Sequence, residues 1–315
     1  MLHSREQFVA TMTDLLDADD SAALVIADIS GDRFLPAARR HPDRVLNVGI
    51  REQAMIGVTA GLSLAGFRPV AHSYATFLVE RPFEQIKLDL GHQDVGAVLV
   101  SVGASYDASG EGRTHQSPGD VALLDTLPGW TVQLPGHPSE VDTLLRSAMQ
   151  SSGRVYLRLS DLENRRAIGA IGGARTDGRM TVVRTGTRAT IVAVGHLLDP
   201  VLEAVTGLDV TVCYASTIRP FDTETLLGSL ASAGATGATG ATGASDVAIV
   251  EPLLAGTSAG VVSKALSNVP HRLLCLGIED VELRKYGSPA EHAVAYGLDP
   301  AGIRRSLVGW LGLVA

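Results

Sequence analysis

Short apolar runs alternate along the chain with longer segments in which apolar residues recur every three or four positions. The runs at 22–27 and 95–102 are almost wholly apolar, which is typical of strands buried on both faces of a sheet. The segment 4–16 has the spacing of an amphipathic helix. This alternation predicts an α/β protein with mainly parallel strands. The further predicted strands are 45–48, 69–72, 131–134, 155–159, 189–194, 210–214, 248–250 and 273–276, and the further predicted helices are 51–64, 82–90, 118–127, 138–150, 199–206, 258–266, 288–296 and 300–311.

The alternation occurs twice, which predicts two doubly wound domains, at residues 1–165 and 181–315. Between them, residues 166–180 belong to a charged, glycine-containing stretch without clear periodicity, and we interpret them as a linker. A GATG repeat at 234–244 offers only small side chains, so we expect a mobile surface loop there.

Charge and composition exclude several classes of function. The 315 residues include 26 Lys and Arg against 34 Asp and Glu, a net charge of −8. No basic stripe is present to bind a nucleic acid or an anionic membrane surface. No apolar run approaches the roughly 18 residues that a membrane span needs, and the N-terminus lacks a signal-peptide pattern. We therefore expect a soluble cytoplasmic protein, without a metal site at its two cysteines.

A turn at residues 47–55 is the first segment that suggests chemistry. A strand ends there, Gly49 allows a tight turn, and Glu52 falls in the first turn of the following helix. A glutamate at a helix N-terminus is by itself an ordinary feature, because the helix dipole favours it. The helix also presents a stripe of small residues, which permits close approach of another helix or subunit.

Two later segments add candidate site residues. Three of the few aromatic residues, Tyr74, Phe77 and Phe83, follow a predicted strand and suit either core packing or a wall for a flat heteroaromatic ring. The glycine-rich loop at 110–118 carries Glu111 and His115 and also follows a strand, where open α/β sheets place their ligands. A lone histidine in such a loop is often structural or solvated.

Together and in this order, the three segments resemble the transketolase family. The resemblance covers the pyrimidine-binding and C-terminal domains, and it is nearest to the split form in which these two domains make a separate subunit. It extends over nearly the whole chain and includes the matching segments 27–29, 131–135, 155–158 and 216–222.

The resemblance implies a cofactor, thiamine diphosphate, and a set of residues that bind it. Glu52 matches the catalytic glutamate that hydrogen-bonds N1′ of the aminopyrimidine. Tyr74, Phe77 and Phe83 match aromatic residues that line the aminopyrimidine pocket, and Asp28 matches an aspartate near the cofactor and the opposing subunit. We expect Glu52 to be buried, with an effect of burial on its carboxyl group that exceeds the opposing effect of the helix terminus.

The resemblance also implies residues that bind a sugar or sugar-phosphate substrate. His115 matches a catalytic histidine that contacts substrate oxygens, and Glu111 stands at a position that contacts a donor hydroxyl. Arg5 and Arg158 resemble arginines that face sugar phosphates, although Arg158 could instead simply pair with a surface acid.

Three positions depart from the family pattern. Glu111 replaces the usual aspartate, Gly103 replaces a histidine or aspartate, and Asp161 replaces a phosphate-binding arginine. These departures argue against a standard pentose-phosphate substrate pair.

The family's magnesium motif, Gly-Asp-Gly followed later by Asn, does not occur in this sequence. The resemblance therefore implies that a partner subunit binds the diphosphate and Mg²⁺, with an expected α2β2 assembly. The alternatives are a deoxyxylulose-phosphate-synthase-like enzyme, the small subunit of a 2-oxoacid dehydrogenase decarboxylase, and a non-catalytic subunit of the same fold.

Overall fold

The computed structural model describes residues 2–168, 175–234 and 245–313, with side chains of 231–234 excepted. The middle of the predicted linker and all of the GATG repeat after its first glycine lie outside these residues. In the described parts of the chain, no helix is long and apolar enough to cross a membrane.

Seven strands form the first sheet, in the order β10-β5-β6-β4-β3-β1-β2. All neighbouring pairs are parallel except β10 with β5. Strands β1 and β4 are buried along their whole length, which explains their continuous apolar sequences. The strands are β1 (Ala22–Ile26), β2 (Val45–Asn47), β3 (Arg68–Tyr74), β4 (Val98–Val102), β5 (Trp130–Gln133), β6 (Arg154–Arg158) and β10 (Thr217–Arg219).

Helices cover both faces of this sheet. Phe8, Met12 and Leu16 of the first helix are fully buried in one apolar cluster, and Met55 and Ile56 lie in another. The helices are α1 (Ser4–Ala18), α2 (Gly31–Arg40), α3 (Glu52–Leu64), α4 (Phe83–Gln85), α5 (Asp120–Leu124) and α6 (Pro138–Gln150), with π-helical turns at Thr76–Glu80 and Ile86–His92 and 3-10 turns at Ser109–Glu111 and Arg113–His115.

A second sheet of five strands has the order β12-β11-β8-β9-β7, parallel except for β7 with β9. Its strands are β7 (Thr181–Arg184), β8 (Thr190–Val194), β9 (Thr211–Ala215), β11 (Ser245–Leu254) and β12 (His271–Ile278), and its helices are α7 (Leu198–Ala204), α8 (Thr223–Gly234), α9 (Ala259–Ala265), α10 (Pro289–Ala295) and α11 (Pro300–Leu311), with a 3-10 turn at Gly195–Leu197. The prediction of an α/β fold with two mainly parallel sheets is confirmed.

The two halves of the chain are joined by paired backbone as well as by side chains. Strand β10 belongs to the later half, yet it pairs with β5 at the edge of the first sheet. Next to it, the Leu134 amide donates to the Ser216 carbonyl at 2.6 Å. The Tyr214 hydroxyl donates to the buried Glu140 carboxylate at 2.6 Å. The halves are therefore one hydrogen-bonded structure at this edge.

Candidate active site

The carboxyl ends of four neighbouring strands, β4, β3, β1 and β2, meet at one edge of the first sheet. Residues predicted for the site follow each of these ends, as expected for ligand sites in parallel sheets. Asp28 follows β1, Glu52 follows β2, Tyr74 ends β3 and Gly103 follows β4.

A hydrogen-bonded turn aims α3 at this edge. The Asp28 amide and the Gly49 amide both donate to Oδ1 of Asn47, at 3.1 and 3.0 Å. The Asn47 side chain donates in return to the exposed Asp28 carboxylate at 3.1 Å. Gly49 has φ +69°, a conformation that residues with a Cβ rarely adopt. The turn thus fixes the direction in which α3 begins.

Glu52 is the first residue of α3, and its side chain is only 2% exposed. Its Oε2 accepts a hydrogen bond from Nη1 of Arg81 at 2.7 Å. A buried carboxylate is costly unless it is paired, and Arg81 is the charge that pairs it. The burial of Glu52 agrees with the sequence-based expectation, whereas its partner was not expected.

Three rings form an aromatic wall beside this carboxylate. The rings of Tyr74 and Phe77 meet edge to face at 6.1 Å between centroids. The His115 ring contacts both, at 5.4 Å from Tyr74 and 5.0 Å from Phe77. Phe83 begins α4 and makes no ring contact with these three among the described contacts. Of the three aromatic residues that the sequence grouped, Tyr74 and Phe77 lie together, and His115 of the later loop joins them.

The guanidinium of Arg81 lies over the Phe77 ring, 4.1 Å from its centroid. The arginine therefore contacts the carboxylate of Glu52 and the face of Phe77 at the same time. Sequence reasoning passed over Arg81, although it lies within the same aromatic segment.

The loop with Glu111 and His115 sits at the exposed mouth of the site. Glu111 is exposed, and His115 is half-buried with its Nδ1 3.0 Å from the Thr114 hydroxyl. The second domain supports this loop, since the Ser109 hydroxyl donates to the Gly287 carbonyl at 2.9 Å. The loop thus brings the His115 ring to the aromatic wall and leaves the Glu111 carboxylate exposed.

Arg158 is placed differently from the substrate-facing arginine that the sequence suggested. Its side chain is 1% exposed, and its Nε donates to Asp120 at 2.7 Å. Its Nη2 also donates to the Ser105 hydroxyl and to the Ser117 carbonyl. The guanidinium thus pairs with an acid, as the alternative interpretation stated, but that acid is buried and not on the surface, and Arg158 does not face the open side of the site.

Arg5 is half-buried near the Asp28 turn. Its Nε and Nη2 donate to the Ser30 hydroxyl at 3.1 and 3.0 Å. Ser30 in turn contacts Nε2 of His72 at 2.9 Å, and burial lowers the pKa of His72 to about 3. Arg5 is thereby linked, through the Ser30 hydroxyl, to the buried neutral His72 of β3, and it has no ion pair with a carboxylate among the described residues.

Asp107 is a second residue that no sequence pattern selects. Its carboxylate accepts from the Ser160 hydroxyl at 3.0 Å and from the Asp161 amide at 2.9 Å. Burial, with a smaller contribution from the Asp161 charge, raises the pKa of Asp107 to about 7. Asp107 therefore takes up a proton at a much higher pH than an exposed aspartate does, a property that a motif does not reveal.

No group of three or more His, Cys, Asp or Glu suited to a metal ion occurs among the described residues. The site instead combines a buried carboxylate, an aromatic wall and polar groups at the mouth. These features fit a flat nitrogen heterocycle, which stacks on the wall and hydrogen-bonds to the acid.

Comparison with known proteins agrees with this description. The family model of the transketolase pyrimidine-binding domain matches residues 1–166, and that of the transketolase C-terminal domain matches residues 178–303. The chain belongs to the transketolase family, and the resemblance drawn from the motifs is confirmed.

Two relatives match the chain over most of their own length. It is 48% identical over 306 residues to an "uncharacterized 33.6 kDa protein in fasciation locus" of Rhodococcoides fascians, covering 97% of this chain and 94% of that protein. It is 30% identical over 233 residues to a subunit of the apulose-4-phosphate transketolase of Actinobacillus succinogenes, covering 71% of this chain and 73% of that subunit.

A solved structure described as a split-gene transketolase, inactive β4 tetramer, superposes with a TM-score of 0.81 at 25% identity, covering 99% of both chains. The 1-deoxy-D-xylulose-5-phosphate synthase of Acidovorax sp. (strain JS42) is 30% identical over 315 residues, which are 96% of this chain but 46% of the synthase. The chain thus spans slightly under half the length of that relative.

Proposed function

We propose that this chain is the small subunit of a two-subunit, thiamine-diphosphate-dependent transketolase-like enzyme. In this proposal the enzyme moves a two-carbon ketol unit from a ketose or ketose phosphate to an aldehyde acceptor. The observation that carries the proposal is the buried Glu52 carboxylate beside the Phe77 ring, at the edge where four strand ends meet.

The residues present fit the aminopyrimidine ring of this cofactor. A planar nitrogen-bearing group, the Arg81 guanidinium, already stacks on Phe77 while donating a hydrogen bond to Glu52. A planar heterocycle makes the same two contacts when one proton is shared between its ring nitrogen and the Glu52 carboxyl group. When bound, thiamine diphosphate supplies the carbanion chemistry by which carbon–carbon bonds are broken and formed.

Each residue then has a physical role. Glu52 holds or shares a proton at the ring nitrogen it faces, in a site from which water is excluded by burial. Phe77 and Tyr74 fix the plane of the ring. Asp28, in the turn that aims α3, lies near the cofactor, and Phe83, which makes no ring contact with the wall, contributes less to cofactor binding.

We assign substrate binding to residues on the exposed side of the site. His115 and Glu111 donate to and accept from substrate hydroxyl and carbonyl oxygens, and Arg5 offers a cation for an anionic substrate group. Because Arg158 is enclosed by its ion pair with Asp120, we assign it to the support of this region and not to substrate binding.

The diphosphate and Mg²⁺ are bound, in this proposal, by a separate polypeptide. Three findings support it: the sequence contains no Gly-Asp-Gly motif, the described residues hold no metal-ligand cluster, and the split-gene transketolase structure matches end to end. The small-residue stripe of α3 is the surface we expect at a subunit interface, and an α2β2 complex is the expected assembly.

Reconstitution with a partner chain that carries a Gly-Asp-Gly…Asn motif tests the function. With thiamine diphosphate, Mg²⁺ and a set of ketose and aldose phosphates, the complex should release product aldehyde, detected by mass spectrometry. Glu52→Gln should lower kcat by about 10³-fold, within the usual range for proton-transfer groups. Glu84→Gln, at an exposed glutamate, is the control. Unchanged turnover in Glu52→Gln would favour the non-catalytic alternative.

A further inference from the structure

Arg81 occupies the space between the acid and the aromatic wall. Its Nη1 donates to Oε2 of Glu52 at 2.7 Å, and its guanidinium carbon lies 4.1 Å above the Phe77 centroid. One edge of the guanidinium is therefore bonded to the carboxylate while one face is stacked on the ring.

A cofactor ring would need the same volume. A guanidinium and an aminopyrimidine are both flat and delocalised, and both place nitrogen atoms along an edge. If the ring stacks on this face of Phe77 and reaches Glu52, it cannot coexist with Arg81 in its observed position. Two groups that make the same two contacts in the same place exclude each other.

We infer that Arg81 is an internal stand-in for the cofactor ring, which closes the site in the free subunit and leaves when the ring enters. This inference rests on the proposed function. The inference also explains how the free chain keeps the Glu52 carboxylate buried, because the guanidinium compensates its charge until the ring replaces Arg81.

The geometry around Arg81 allows the side chain to leave while the backbone stays. Its amide donates to the Thr76 carbonyl at 3.3 Å, and its carbonyl accepts from the Gln53 side chain at 3.2 Å. The side chain itself is 37% exposed, and Glu52 is its one ion-pair partner among the described residues. A rotation about side-chain bonds therefore moves the guanidinium into solvent.

Such a stand-in lowers the apparent affinity for the ring. The observed Kd is the intrinsic Kd divided by the fraction of molecules in which the site is open. If Arg81 closes the site in nine molecules of ten, its removal tightens binding about tenfold. A purely structural arginine would have the opposite effect, since its loss loosens the site.

The test measures binding of the isolated pyrimidine half, 4-amino-5-(hydroxymethyl)-2-methylpyrimidine, to the purified full chain by ligand-observed NMR titration. Arg81→Ala should bind this probe about tenfold more tightly than the unmodified chain. Arg81→Lys, which keeps the charge but loses the planar stack, should fall between them. Arg146→Ala is the matched control, because Arg146 also pairs with carboxylates but lies on α6 with 41% of its side chain exposed.

The double variant Arg81→Ala/Glu52→Gln separates this inference from the proposed function. Loss of the gained affinity in the double variant supports both. The inference is overturned if Arg81→Ala binds the probe no more tightly than the unmodified chain. The proposed function still stands in that case if Glu52→Gln alone weakens binding of the probe. No binding of the probe by any variant also overturns the inference, because the inference requires that a site without Arg81 binds the ring. In that case the activity of the reconstituted complex decides whether the proposed function holds.

Discussion

The Tyr74 ring occupies the space that a side chain at Gly103 would fill, at the carboxyl ends of β3 and β4. Tyr74 pairs in register with Val102, so Gly103 follows directly beside it. A Cβ on Gly103 would lie 2.2 Å from Cδ1 of the Tyr74 ring, and the backbone there has φ +63°. The absence of a side chain at this departure from the family pattern is therefore what allows the Tyr74 ring to lie where it does.

Substitution Gly103→Ala should displace the Tyr74 ring and destabilise the chain by about 1–3 kcal/mol, the usual cost of overpacking. Denaturant unfolding measures the loss. The double variant Gly103→Ala/Tyr74→Ala should recover part of it, because it removes the atoms that clash. Gly309→Ala in α11, where a Cβ meets nothing within 4 Å, should instead be neutral or stabilising by up to about 1 kcal/mol. Equal losses at both glycines would contradict this explanation.

Removal of the stacking ring should weaken cofactor binding. We expect Phe77→Leu in the reconstituted complex to raise the thiamine diphosphate concentration for half-maximal activity by about 5–10-fold, since stacking contributes about 1–1.5 kcal/mol. Phe67→Leu, before the opposite end of β3, is the control. Phe83→Leu should have a smaller effect than Phe77→Leu, because Phe83 lies outside the ring contacts; a larger effect would place Phe83 in the pocket.

Removal of one partner of the buried pair of Asp120 and Arg158 should strongly destabilise the first domain. Asp120 also accepts the Tyr156 hydroxyl at 2.6 Å, so Asp120→Asn leaves a buried cation and weakens two contacts. We expect a loss of about 3–5 kcal/mol in unfolding free energy, measured by urea denaturation. Asp142→Asn breaks a surface pair with Arg146 and should cost less than about 1 kcal/mol. Similar losses in both variants would show that Arg158 is not enclosed in solution.

Asp107 should make stability fall as pH rises. Its pKa is raised to about 7 by burial, against 3.8 for an unperturbed aspartate, so the folded state holds a proton that the unfolded state has lost. The contribution is fully present below about pH 4 and is lost as pH rises toward 7, with a slope of up to about 1.4 kcal/mol per pH unit.

Asp107→Asn should flatten that part of the curve of unfolding free energy against pH, because the amide keeps a donor and an acceptor without a titration. The curve is measured by denaturant unfolding at half-unit pH steps. Asp94→Asn, at a largely exposed aspartate, should leave the slope as it is. A steeper fall in Asp107→Asn would contradict the protonated state.

The elements found most easily from the sequence are those with strong periodicity or continuous apolar runs. Helix α6 and helix α11 begin and end where the pattern places them, each with a proline in its first turn. Strands β7 and β10 and helices α2 and α8 were missed. Each of the two strands is short and pairs antiparallel at a sheet edge, so its sequence lacks the continuous apolar run of a central strand.

The site residues that belong to recognisable sequence motifs were predictable. Glu52, Tyr74, Phe77 and His115 were selected by type and order, and the structure brings them to one place. The contact between Arg81 and Glu52 was not predictable, because it depends on how the π-helical turn after Tyr74 directs a side chain 29 residues away in sequence. The burial of Arg158 depends likewise on Asp120, which no motif pairs with it.

The edge strand β10 has a consequence for how the chain is made. Residues 130–133 are synthesised long before residues 217–219, so on the ribosome the nascent first half carries β5 without its antiparallel neighbour. An open edge of this kind invites pairing with another nascent chain. Expression of the first half alone would therefore leave β5 as an unpaired, aggregation-prone edge strand. In the full chain, β10 of the later half pairs with this edge and protects it from other chains.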